Sequence, residues 1–361
     1  MRIFRKKTLE RILGESGKKT LKPTMRTIDL ILLGVGSVIG SGILVLTGEA
    51  SSKAGPSVVF SFLIAGLACG LTALCYAELS SAIPSSGSVY TYSYMTLGEI
   101  VAHSMGWLLG GSYIIAGAAI ANGWSSYFKN LLEGFGVVVP KEFTSLPSEG
   151  GYGNLLAISV VLLIMIVLFK GTSSSKFVNN FMVIIKIAVI VLFVLVGVFY
   201  VKPHNWTNDF APQGLSGIMV GATTVFFAYL GFDTISTSAE ETINPQKSLP
   251  RAIIITLLIC TAFYIVVCLV LTGMVSYSQL GKGDALAYVL EVVGQDKIAG
   301  IISLGAVIGL LAGPLATMFA SIRILFTMSR DGLLPKQLTK LNKNGVPGSA
   351  TIGVGVLMAL L

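Results

Sequence analysis

Three short stretches of this chain place polar or helix-breaking residues inside otherwise apolar sequence. The first is Gly34-Val35-Gly36-Ser37-Val38-Ile39-Gly40-Ser41-Gly42-Ile43. Glycine costs about 1 kcal/mol in a helix interior relative to alanine, and freed backbone groups are costly in lipid unless something pairs with them. A ligand can supply that pairing. The N–H groups that open a second half-helix suit a carboxylate, and the carbonyls that end the first suit an ammonium. One break can thus grip both ends of an α-amino acid. The same residues also read as a small-residue packing face, since Gly36 and Gly40 form a GxxxG pair; the residues alone leave both readings open. A dinucleotide fingerprint is excluded, because the third glycine and a preceding strand are missing.

The second stretch is Phe226-Phe227-Ala228-Tyr229-Leu230-Gly231-Phe232-Asp233. It sets aromatic rings beside a glycine and puts a carboxylate in a membrane run, a costly placement that calls for function or pairing. Asp233 reads either as the cap of the following half-helix or as a substrate contact. The third is Lys186, in the middle of Phe181-Met182-Val183-Ile184-Ile185-Lys186-Ile187-Ala188-Val189. It lies too far from either end to reach the interface, so its ammonium needs carbonyls or a carboxylate around it. It is a candidate proton site, or a fixed substitute for a sodium ion. Glu78, near the inner end of the second run, reads as an ion-pair partner. The four cysteines, Cys69, Cys75, Cys260 and Cys268, lie in apolar runs without metal-site spacing. No metal or cofactor is expected.

The elements that must position these residues are membrane spans. The chain is 53% hydrophobic and 12% charged, with a mean hydropathy of +0.82, and lipid is the solvent that accommodates such a surface. About 20 mostly apolar residues make a span. Eight candidates cover roughly 27–48, 57–82, 101–128, 154–170, 177–201, 214–239, 251–275 and 298–329, and a ninth run starts near 349. Residues 86–100 read as a short interfacial piece. The net charge of +8 comes largely from a basic segment at residues 1–26, which suits a cytoplasmic juxtamembrane stretch and not a nucleic-acid platform. Of the 25 lysines and arginines, eighteen fall on the side of the N-terminus, six on the other, and Lys186 lies within the membrane. This bias sets the N-terminus inside a cytoplasmic membrane. Interrupted runs in spans 1 and 6, five spans apart, are the pointer to an inverted repeat.

Together the stretches GVGSVIGSGI, ALCYAELSSAIPSSGSVYTYSY, the lysine of NNFMVIIKI, VFFAYLGFDTISTSAEETINPQKSLP and SRDGLLP resemble the amino acid–polyamine–organocation superfamily, and within it a bacterial member of the cationic amino acid transporter family. The resemblance covers nearly the whole chain in order. It implies an all-α polytopic membrane protein of the LeuT type, with two inverted five-span repeats. Residues 27–201 would form the first repeat and 202–361 the start of the second, incomplete because the chain stops in span 9. It also implies roles. The substrate carboxylate would bind at Gly40, Ser41, Gly42 and the amide of Ile43, and the ammonium at carbonyls of Val38 and Ile39 and near Phe226, Phe227 and Leu230. Phe227 matches a lid over the substrate, and Lys186 matches the family's candidate for proton coupling. Thr317, counted back from Arg323, matches a position that is small in cationic transporters, although threonine also bonds back to its own helix in membranes. Where bacterial relatives commonly have glutamate before the span-3 tyrosine, this chain has Ser112 before Tyr113.

The expected function is secondary uptake of amino acids, proton-coupled, of cationic (arginine or lysine) or small neutral type. The alternative is a non-transporting amino-acid sensor on the same fold. A small membrane partner of unknown kind stays open. HExxH, GxSxG and P-loop signatures are missing from the sequence, so an enzyme or ATP-driven pump is not expected.

Overall fold

The computed structural model of the chain describes residues 5–8, 10, 21–40, 42–134, 136–137, 139–144, 151, 153–207, 209–281 and 284–361. Ser41 and much of the basic N-terminal segment, including Arg2, Arg11, Lys18 and Lys19, lie outside the described residues. Helices dominate. Among the described residues there is no strand, only the isolated bridges Met25–Thr242 and Leu341–Pro347.

Among the described residues, six helical stretches are long and apolar enough to cross a membrane: Thr47–Ala82, Glu99–Glu133, Thr172–Tyr200, Gly214–Glu241, Pro245–Met274 and Asp296–Arg330. Three shorter apolar helices join them, Thr27–Val38, Leu155–Phe169 and Gly348–Leu360. Each expected span coincides with at least one of these helices, with shifted ends. Span 1 runs as a helix over Thr27–Val38, breaks, re-forms as a π-turn over Gly42–Leu46 and continues as Thr47–Ala54. Span 2 is Val58–Ala82, span 3 Glu99–Gly134, span 4 Leu155–Phe169 and span 5 Thr172–Gly197. Span 6 is Gly214–Phe226, then a short turn over Phe227–Tyr229, then Phe232–Glu241. Span 7 is Pro245–Met274, span 8 Asp296–Leu310 followed by Ala312–Arg330, and span 9 Gly348–Leu360. The interfacial piece is a helix at Val89–Thr96.

Two breaks organise the bundle. The amide of Met25 donates to the carbonyl of Glu241 (2.9 Å) and that of Ile243 to the carbonyl of Met25 (2.8 Å). The start of span 1 therefore meets the end of span 6, and the two run in opposite directions. Spans 7 and 8 cover them. In span 8, Thr317 to Ser329 are buried throughout, which explains how an arginine can sit there: Arg323 forks onto Glu241 at 3.1 and 2.6 Å and lies over the Phe319 ring at 4.4 Å.

That pair has side-chain exposures of 2% and 1%. Removing one partner from a buried pair leaves the other charge uncompensated, at a cost of about 3–5 kcal/mol. Arg323→Ala is expected to lower the thermal stability of the purified protein by that order, measured by unfolding in detergent. Arg323→Ala with Glu241→Gln should recover part of the loss. If the single variant is as stable as the parent, the pair does not hold span 6 to span 8.

Candidate substrate and coupling site

The break in span 1 follows from its residues. After Val38, Ile39 leaves helical geometry (ψ 68°) and its amide bonds back to the Val35 carbonyl; Gly40 donates to the Val38 carbonyl at 2.8 Å. Gly42 then opens the π-turn, whose first amides have no acceptor within the helix. In span 6 the chain turns over Phe227–Tyr229, Leu230 is extended, and Gly231 adopts φ +114°, a conformation open to glycine.

The two breaks touch. A Cβ on Gly42 would lie 2.7 Å from Ala228 Cβ, 2.9 Å from Ala228 Cα and 3.0 Å from the Tyr264 hydroxyl. A Cβ on Gly231 would meet Ser37 Oγ at 2.4 Å. Each glycine thus admits the other span's backbone. Tyr264 of span 7 reaches both breaks. Its hydroxyl lies 3.0 Å from the Val38 carbonyl and 2.7 Å from the Ala228 carbonyl, while its ring stacks on Phe62 (4.8 Å) and meets Tyr229 edge-on (5.2 Å). One hydroxyl proton serves two carbonyl acceptors, so either carbonyl can be released to another donor at little cost.

Beside this contact, Val38, Ile39 and Ile43 are buried, whereas Phe226, Phe227 and Leu230 are exposed, Phe227 by 66%. The aromatic face of span 6 is therefore accessible next to the joined backbones. Asp233 is not the helix cap. Gly231 holds that position, and Asp233 sits in the first turn, where its carboxylate accepts the Tyr113 hydroxyl at 2.5 Å.

Lys186 lies on span 5 with 2% exposure, and its ammonium donates to the Gly36 carbonyl at 3.1 Å. Gly309 of span 8 makes room for it: a Cβ there would lie 3.0–3.2 Å from Lys186 Cβ, Cγ and Cε. The lysine thus ties span 5 to span 1, two residues before Val38.

Other candidates fall elsewhere. Thr317 is buried against Gly117 of span 3, and its hydroxyl donates back to the carbonyls of Gly313 and Pro314 at 3.2 Å each. Ser112 is exposed and donates back to the Leu108 carbonyl. Glu78 is exposed and pairs with no other described residue. The end of the bundle that carries Met25 is closed by charge. Lys7 meets Asp331 at 2.5 Å, Tyr90 donates to the same carboxylate at 2.8 Å, and Arg330 pairs with Glu240 at 2.7 Å. Sequence reasoning missed Tyr264, Tyr113 and the Arg323–Glu241 pair. Intramembrane polarity was the available signal, but the partners lie far apart in the chain.

Two discontinuous helices crossing antiparallel, with a buried lysine against one break, define a membrane transporter of the LeuT type. A solved structure, described as MhsT in complex with L-phenylalanine, superposes with a TM-score of 0.63 at 18% identity, over 94% of this chain and 79% of that one, which extends the likeness of fold. Residues 25–361 match the family model described as amino acid permease. The chain is 51% identical to the methylthioribose transporter of Bacillus subtilis, over 94% of this chain and 74% of that protein. It is 44% identical to the branched-chain amino acid permease BcaP of the same organism, over 99% and 78%, and 37% identical to human cationic amino acid transporter 4, over 95% and 55%. The chain belongs to the amino acid permease family, within the amino acid–polyamine–organocation superfamily, whose members are transporters and not enzymes.

Proposed function

We propose that this permease takes up neutral amino acids with apolar side chains, coupled to protons through Lys186. The contact of the two breaks carries the reading. The amides of Gly42 and Ile43 suit the substrate carboxylate, with Gly40 beside them; Ser41 is the further carboxylate contact that the motif implies. The carbonyls of Val38, Ile39 and the span-6 break suit the ammonium. The exposed rings of Phe226 and Phe227, with Leu230, offer an apolar surface for the side chain. The acids nearby are engaged: Asp233 by Tyr113, Glu241 by Arg323 and Glu240 by Arg330. Among the described residues, none of these three carboxylates is left unengaged for a guanidinium. The name of the branched-chain permease relative agrees with this.

In this account the protonated Lys186 holds the Gly36 carbonyl and steadies the break, and loss of its proton loosens span 1 from span 5. The basic end lies in the cytoplasm, residues 27–201 form the first repeat, and residues 202–361 begin the second.

A second reading is uptake of a neutral thioether sugar, favoured by the methylthioribose relative at 51% identity; such a solute has no α-carboxylate or ammonium to bind. Competition binding with leucine, alanine, arginine and methylthioribose separates the readings. Leucine and alanine should compete, and arginine should bind more weakly by about tenfold or more, since an unpaired buried charge is costly. Competition by methylthioribose alone would replace the amino-acid reading with the second. Tight arginine binding would restore a cationic pocket.

A further inference from the structure

On the cytoplasmic side of Lys186 lies a polar line that the substrate site does not use. Asn179 is two helical turns earlier on span 5, on the same face as Lys186 and about 10 Å away along the axis. It is 2% exposed, and its Oδ1 has no hydrogen-bond partner. That oxygen lies 3.1 Å from where a Gly36 Cβ would stand, and the Gly36 carbonyl is the acceptor for Lys186. Asn179 and Lys186 thus flank one glycine of span 1, with Val183 packed between them. On its far side Asn179 borders a cavity of about 10 Å³, lined also by Thr172, Ser175, Lys176, Asn180 and Phe319. This is near the lower limit for one water. Two of the residues that line it, Asn180 and Lys176, donate to Asp29 at 2.9 and 3.4 Å. An unsatisfied buried amide oxygen is costly, and here its residue borders a small cavity whose wall mixes the polar side chains of Thr172, Ser175, Lys176 and Asn180 with the apolar ones of Leu33, Leu315 and Phe319.

We infer that Asn179 positions the water through which Lys186 exchanges its proton with the cytoplasm, an inference that rests on Lys186 being the coupling residue. When the first half of span 1 parts from span 5, Gly36 leaves Val183 and the line opens. An Nζ–H bond of Lys186 breaks, and the proton passes to water, which becomes hydronium held by Asn179 Oδ1. The proton leaves past Asp29 to bulk water, and Lys186 keeps its electron pair as a neutral amine. The titratable groups that face this line are Cys260 of span 7 beside Lys186, Asp29 and Lys176 at the mouth, and the Arg323–Glu241 pair of spans 8 and 6, joined to Thr172.

The test compares the parent with Asn179→Leu, Asn179→Ser and Lys186→Ala in proteoliposomes. Uptake of labelled leucine is driven by an inward proton gradient, and substrate affinity is measured separately. Asn179→Leu should slow proton-driven uptake about tenfold or more, as for loss of a hydrogen bond to a charged group, with affinity kept within about twofold, a change well under one pK unit of binding energy. Asn179→Ser, which keeps a hydrogen-bonding oxygen, should recover much of the rate. Proton-driven uptake by Asn179→Leu at the parental rate overturns the route. So does loss of substrate binding, which would make Asn179 a packing residue, and so does sodium-dependent uptake by the parent, which would make the cavity a cation path. If the parent is proton-driven and Lys186→Ala abolishes this while Asn179→Leu does not, the route alone fails. If Lys186→Ala retains it, the coupling reading fails first.

Discussion

Gly42→Leu is expected to abolish binding of every substrate alike. The site of the first Cβ atom is already occupied, 2.7 Å from Ala228 Cβ and 2.9 Å from its Cα, and backbone cannot swing aside as a side chain can. A leucine must push spans 1 and 6 apart at the point where both breaks present their backbone groups. Overpacking of this kind costs about 1–3 kcal/mol or more in a packed core, and misplacing several backbone contacts together removes the site. Since those groups would read the α-carboxylate and α-ammonium, the loss does not depend on the side chain of the substrate. Equilibrium binding of leucine and alanine to the folded variant checks this. A Gly42→Leu protein that changes selectivity but keeps its affinity for some amino acids rules out the turn as the anchor.

Lys186→Ala is expected to remove uptake driven by an inward proton gradient while sparing part of the binding. The substitution takes away the donor to the Gly36 carbonyl and leaves a cavity against Gly309 and Val183. A buried carbonyl that loses its partner costs about 1–3 kcal/mol, so span 1 should also become looser in the variant. Uptake by the parent should ignore sodium. Sodium-dependent uptake that survives the substitution contradicts a coupling role for this lysine.

The sequence revealed the parts that violate local rules. Gly40 and Gly42 in an apolar run, Gly231 beside aromatic residues and a lysine amid eight apolar neighbours all carry local costs, and these costs mark the breaks and the residue proposed for coupling. The spans were equally legible, because hydropathy depends on length and composition alone. Their ends were less so: span 3 extends to Gly134, well past the expected 128, because its last turns are amphipathic. Asp233 was read as a cap or as a substrate contact; Gly231, two residues earlier, takes the cap position with φ +114°, and Tyr113 claims the carboxylate from 120 residues away. Glu78 was read as a pairing residue from its place at a span end, yet it turns outward. Tyr264 was invisible because a tyrosine in an apolar helix usually reads as core, and only the folded chain brings Val38 and Ala228 to its hydroxyl. Arg323 and Glu241 have the same character, since the sequence places each at the inner end of a different span and only the folded chain lays span 8 on span 6.

The central claim is that the joined breaks of spans 1 and 6 bind an amino acid whose movement is coupled to protons. It is tested most directly by uptake of labelled leucine into proteoliposomes, with and without an inward proton gradient and in the absence of sodium. The account predicts accumulation above the equilibrium level with the gradient and equilibration without it. Equal traces under both conditions, or binding with no flux at all, would contradict it, the latter in favour of an amino-acid sensor on the same fold.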